Sequence, residues 1–186
     1  MFKTLSMIGD QLNEQGIVWG VGASILLYQH GLVNNPQDID LIIDLKDADQ
    51  ADRILTAMGE KRMAFDSATY ATKVFGEYVI NGVDVDLMSG FGINHKLGTY
   101  IYDFDRQSVV DYFKFNTVNI PFTALEDWYV LYALMPGKEA KAKLIEEHLI
   151  RTGIKNPTLL EKTLGGNLPN HIVAQIQMLL EVNRRR

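Results

Sequence analysis

A chain of 186 residues, 47% hydrophobic and free of cysteine, can bury one sizeable core but cannot build a disulfide framework, a thiolate metal site or a cysteine nucleophile. Its net charge of −5 and pI near 5.3 have the wrong sign for gripping nucleic acid over a broad surface. No stretch approaches the roughly 20 apolar residues that span a bilayer, and Met1 to Gln11 lacks the apolar core of a signal peptide, so a cytoplasmic protein with no membrane partner is expected.

In chain order, Phe2, Leu5, Ile8 and Leu12 recur at helical spacing, and Gly16 is placed to end that helix. Ile17-Val18-Trp19 reads as a short buried strand entering Gly20-Val21-Gly22-Ala23-Ser24, with a helix from Ala23 to His30 and Gly31 as its stop. Asn34-Asn35-Pro36-Gln37 is a loop by composition, Ile39–Asp44 a strand, and Ala48–Met58 an amphipathic helix closed by Gly59. Phe65 is assigned to a short strand. Ala71–Ile80 and Val83–Met88 form a hairpin about Asn81-Gly82, a strong hairpin turn. Residues 99–102 and 115–120 are strand-like by aromatic and β-branched content, and 107–113 is read as a short helix. From Pro121 onward the texture is helical: Thr123–Leu134, Lys138–Thr152, Pro157–Leu164 and Pro169–Val182, with Thr123 and Glu126 at capping-box spacing.

Two acidic motifs stand out, Asp38-Ile39-Asp40-Leu41 and Val83-Asp84-Val85-Asp86-Leu87-Met88. In a strand, residues two apart share a face, so each motif projects two carboxylates from one side. Fourteen Asp make four Asp-x-Asp pairs in this chain, where chance supplies about one. Asp47/Asp49 opens a helix, where acids favour the dipole, and Asp103/Asp105 reads as a solvated turn. Only the pairs at 38/40 and 84/86 run into apolar strands. Paired carboxylates repel, and the usual relief is a hard divalent cation, Mg²⁺ foremost at phosphate-handling sites. His30, His95, His148 and His171 show no metal-ligand spacing. Trp128, Tyr129 and Tyr132 have the spacing of core packing, and Arg184-Arg185-Arg186 that of a frayed basic tip.

With the turn Gly22-Ala23-Ser24, the motif Asp38-Ile39-Asp40-Leu41 and Asp86 in the second acidic strand, the chain resembles the nucleotidyltransferase superfamily related to DNA polymerase β. The likeness is to its small bacterial members: antibiotic nucleotidyltransferases, minimal nucleotidyltransferases and the nucleotidyltransferase-like toxins of abortive infection. It covers residues 17 to about 150. The resemblance implies an α+β fold: a mixed β-sheet with flanking helices over residues 1–121, then a small C-terminal helical segment over 122–186. It implies Asp38, Asp40 and Asp86 as catalytic metal ligands for Mg²⁺ or Mn²⁺, with Gly22 and Ser24 binding the nucleotide. The implied reaction moves a nucleoside monophosphate from an NTP to a hydroxyl of a small-molecule or protein acceptor. A homodimer stays open.

Two departures from the family pattern are visible. The common turn is Gly-Gly or Gly-Ser, whereas here Ala23 separates Gly22 from Ser24, and Asn34-Asn35-Pro36-Gln37 supplies no cation before the first Asp. Asp84 shares the face of Asp86 and competes with it for the third position. A second reading is therefore a catalytically inactive relative acting as a binding or toxin–antitoxin component. A third, dinucleotide binding, rests on Gly20-Val21-Gly22 and on Asp44 at the end of the next strand, but Ile25 stands where the fingerprint needs glycine.

Overall fold

The computed structural model describes residues 1–63 and 67–186. The strand assigned at Phe65 lies outside the described residues. The fold is α+β. Its helices are α1 (Phe2–Glu14), α2 (Ala23–Gln29), α3 (Ala48–Met58), α4 (Leu125–Leu134), α5 (Glu139–Thr152), α6 (Pro157–Thr163) and α7 (Asn170–Arg184). Its strands are β1 (Trp19–Val21), β2 (Ile39–Ile43), β3 (Glu60–Arg62), β4 (Val74–Ile80), β5 (Val83–Ser89), β6 (Gly92–His95), β7 (Gly98–Ile101), β8 (Val109–Phe115) and β9 (Val118–Thr123).

The chain folds as two compact units. The first holds α1–α3, β1–β5, β8 and β9, and is built on a seven-stranded mixed sheet of order β3-β4-β5-β2-β1-β9-β8. Only β2 with β5 and β1 with β9 run parallel; the other neighbours are antiparallel. Ile39, Leu41 and Ile43 of β2 and Val85 and Leu87 of β5 are fully buried on one face, which leaves Asp40 and Asp86 to the other. Leu5, Ile8 and Leu12 of α1 and Ala51 and Leu55 of α3 complete this core.

Glycines stop both early helices in the same way. Gly16 (φ +67°) and Gly31 (φ +69°) take the left-handed conformation after α1 and α2. Ile17 N–H donates to Leu12 O at 3.0 Å, and Leu32 N–H to Leu27 O at 2.9 Å, the long bond of a Schellman stop. Asn81 (φ +52°) and Gly82 (φ +73°) form the two-residue turn between β4 and β5 and pin their register with Ile80 opposite Val83.

The second unit contains the β6–β7 hairpin, α4–α7 and Ser67–Ala71. Trp128, Tyr129 and Tyr132 of α4 are all buried. Two of its acids are buried as well, each with a partner: Asp127 accepts from the Tyr102 hydroxyl at 2.7 Å, and Glu126 accepts from the N–H groups of Lys155 and Asn156 at 3.1 and 2.9 Å.

Two local expectations give way. Residues 107–113 are not helical; apart from a 3-10 turn at Arg106–Ser108 they belong to β8, the sheet's edge strand. Val109, Val110, Tyr112 and Phe113 suit a strand by propensity, and an edge position blurs the alternation that would otherwise mark one. The capping box at Thr123 is also absent. Ala124 holds the N-cap position of α4 without a side-chain cap bond. The Thr123 hydroxyl donates instead to Val21 O at 2.9 Å, tying β9 to β1.

Candidate active site

The site lies on the open face of the sheet, where β2 and β5 run side by side in parallel. Register sets Asp40 directly opposite Asp86, and Asp38 shares their face one step before β2 begins. All three are half-buried, and each offers a carboxylate oxygen within 4.8 Å of the others. Three hard anionic donors so close suit a divalent cation of the Mg²⁺ or Mn²⁺ kind far better than a soft metal.

The field of this cluster falls most heavily on Asp86. Burial, and then the charges of Asp38, Glu77 and Asp84, push the Asp86 carboxyl up to about 6, with Arg62 pulling in the other direction. A carboxylate so disfavoured is relieved either by a proton or by a cation.

The turn after β1 brings the remaining candidates to the same place. Gly22 caps α2, and its N–H donates to Asp40 O at 3.1 Å. That bond ties the turn to β2, and the N–H groups that follow, at the start of α2, have no intrahelical partner. Ala23 sits at φ +45°, the left-handed region that favours glycine. Ser24 is buried, and its hydroxyl donates to Asp38 Oδ1 at 3.1 Å. In this structure its contact is with a carboxylate of the cluster. Gly20 serves packing: a Cβ there would lie 3.0 Å from Thr123 Cγ2.

Asp84 does not enter the cluster. Its carboxylate pairs with Arg62 Nη1 at 3.0 Å, and both side chains are more than half exposed. Two residues were not anticipated from the sequence. Glu77 lies directly opposite Asp86 on β4, and Arg62 lies opposite Glu77 on β3. A row Arg62–Glu77–Asp86–Asp40 thus crosses four strands on one face. The two-residue turn at Asn81-Gly82 carried the signal for Glu77: once Ile80 pairs with Val83, counting outward pairs Glu77 with Asp86. Arg62 had no such pointer.

Comparisons with protein-family models and with curated proteins give no match. Solved structures do. A Thermotoga maritima protein provisionally described as a nucleotidyltransferase is 25% identical, over 80% of this chain and 92% of its own, with a TM-score of 0.61. ANT(2'')-Ia, solved with adenylyl-2''-tobramycin, matches the whole chain over 97% of its own length at 12% identity and a TM-score of 0.56. The lincosamide antibiotic adenylyltransferase LnuA, lincomycin-bound, matches 77% of the chain over 95% of its own at 14% identity and a TM-score of 0.51. With this fold, the chain belongs to the nucleotidyltransferase superfamily.

Proposed function

We propose that the chain is a divalent-cation-dependent nucleotidyltransferase that moves a nucleoside monophosphate from an NTP to a hydroxyl of a small-molecule acceptor. The observation that carries the reading is the convergence of the Asp38, Asp40 and Asp86 carboxylates within 4.8 Å on adjacent parallel strands. Antibiotic adenylyltransferases among the structural neighbours favour a small acceptor over a protein one.

Asp38, Asp40 and Asp86 would hold Mg²⁺ or Mn²⁺, which when bound neutralises the triphosphate and lowers the acidity threshold of the attacking hydroxyl. The residues of the chain do the rest. Ser24 fixes the orientation of the Asp38 carboxylate through its hydroxyl. Gly22, bonded to Asp40 O, sets the turn from which the first N–H groups of α2 meet phosphate oxygens. In the transfer, the acceptor oxygen forms a bond to the α-phosphorus as the bond to the bridging oxygen breaks, and pyrophosphate leaves. The hydroxyl proton passes to a carboxylate of the cluster or to water. Positioning and charge neutralisation supply most of the rate in such chemistry.

Calorimetric titration with each Mg²⁺-NTP tests the reading. Binding of at least one triphosphate that disappears in Asp38→Ala/Asp40→Ala is expected. A second reading, an inactive binding or toxin–antitoxin component, is favoured by the cation-free loop Asn34-Asn35-Pro36-Gln37; no binding of any triphosphate would select it.

A further inference from the structure

We infer that Arg62 is a positioning residue which decides, through its ion pair with Asp84, that Asp86 and not Asp84 completes the carboxylate set. The inference rests on the metal-site reading of the proposed function and deepens it.

Chemically the two aspartates of β5 are equivalent. They are two residues apart on one strand, share the open face, and both end in the same short carboxylate. The parallel ladder pairs Ile39 with Val85 and Asp40 with Asp86. One step further back it sets Asp84 alongside Asp38, the acid that begins the cluster. Backbone placement alone would thus admit a fourth carboxylate from the Asp38 side. They differ in surroundings: Asp86 is half-buried opposite Glu77, whereas Asp84 is exposed opposite Val79 and within reach of a cation on β3. Arg62 lies opposite Glu77 in register, yet its guanidinium reaches diagonally to Asp84 Oδ1 at 3.0 Å. That contact commits the Asp84 carboxylate to Arg62, outside the set formed by Asp38, Asp40 and Asp86. Lys61, the preceding residue, is committed on the opposite face to Asp52 and the Tyr78 ring, so Arg62 is the cation that β3 presents on the site's face.

Cation chemistry gives the choice its consequence. Mg²⁺ demands a small octahedral set and keeps several waters, whereas more carboxylates favour larger ions of higher coordination number. Holding Asp84 aside leaves coordination positions for water and for substrate oxygens. An exposed ion pair is a weak restraint, so its removal should change affinity by a few-fold at most.

The test uses the full chain, Arg62→Gln, Asp84→Asn and the double variant, with Mn²⁺ titrated by electron paramagnetic resonance. Bound Eu³⁺ is read in parallel by its luminescence lifetimes in H₂O and D₂O, which count coordinated waters. Both residues are exposed, so these variants should fold, and their thermal unfolding is checked first. Asp84→Asn alone should leave affinity within about two-fold and the water count unchanged. Arg62→Gln should tighten Mn²⁺ binding a few-fold and lose about one water from Eu³⁺, and the double variant should restore both. Tighter binding with no lost water would reduce the effect to bulk charge and overturn the inference, as would weaker binding in Asp84→Asn alone. Mn²⁺ binding that ignores Asp86→Asn, or none by the native chain, would overturn the metal reading itself and this inference with it.

Discussion

Asp86 carries the electrostatic tension of the site, and its behaviour with pH follows from that. Its carboxyl is raised from the ordinary 3.8 to about 6 by burial and by Asp38, Glu77 and Asp84. The folded state therefore holds this proton more tightly than the unfolded state. The cation-free protein should be most stable below pH 4 as far as this group is concerned, and should lose that contribution as pH rises from about 4 to 6. Asp86→Asn should accordingly stabilise the cation-free protein at pH 7.5 by on the order of 1–2 kcal/mol, after allowance for solvent screening. Denaturant unfolding with a chelator checks this; a destabilised variant would contradict it. Because proton and cation compete for the same carboxylate, Mn²⁺ affinity of the native chain should fall as pH drops through 6.

Two neighbours of the turn can be argued at the same scale. Ser24→Ala removes the donor to Asp38 Oδ1, and the loss of such a supporting bond costs metal affinity about 10- to 100-fold. Mn²⁺ titration of a correctly folded Ser24→Ala protein reads the effect directly; unchanged affinity would make the bond incidental. Ala23→Gly relieves a side chain held at φ +45° and should raise stability by about 1 kcal/mol, against a smaller loss from the freer unfolded chain. Thermal unfolding checks it, and a clear fall in Tm would show that the Ala23 methyl matters more in packing.

At the scale of elements, the acids at the start of α4 also tie down chain elsewhere. Glu126 is buried and accepts two backbone N–H bonds from the segment after α5. Glu126→Ala should cost about 2–3 kcal/mol by orphaning both donors, whereas Glu126→Gln, which keeps an acceptor, should cost less. The reverse order would mean that the N–H groups find water. The sequence spacing of Thr123 and Glu126 matched a capping box, but it could not reveal that β9 claims Thr123 for Val21 or that Glu126 reaches a residue 29 positions away.

Strand legibility divides along the same line between local and distant partners. Ile39–Ile43 and Val83–Ser89 were readable because alternating acids and aliphatics mark a half-buried strand. The hairpin was readable because Asn81-Gly82 adopts positive φ at both positions. β8 was misread because an edge strand lacks a clean period, while the strand-like reading of 115–120 caught only the first half of its partner β9, Val118–Thr123. Asp38 and Asp40 were readable as a pair from spacing alone. That Asp86 meets them, and Asp84 does not, depends on a parallel register and on Arg62, neither of which has a local signature.

On the scale of the whole molecule, the parallel pairing of β2 with β5 joins motifs 46 residues apart in the chain into one cluster. The fold places that cluster beside the N-terminus of α2, where backbone donors and the helix dipole favour anionic oxygen. A net charge of −5 adds general repulsion toward an NTP, which under the proposed function a bound cation would offset. NTP binding without divalent cation should consequently be weak and should improve with salt, as screening removes the repulsion.

The most direct measurement is anomalous diffraction from a crystal soaked in Mn²⁺ with a non-hydrolysable triphosphate. Manganese density enclosed by the carboxylates of Asp38, Asp40 and Asp86, with phosphate oxygens completing its coordination, is the predicted result. Manganese bound elsewhere, or a triphosphate ordered without any ion between those three side chains, would contradict the account.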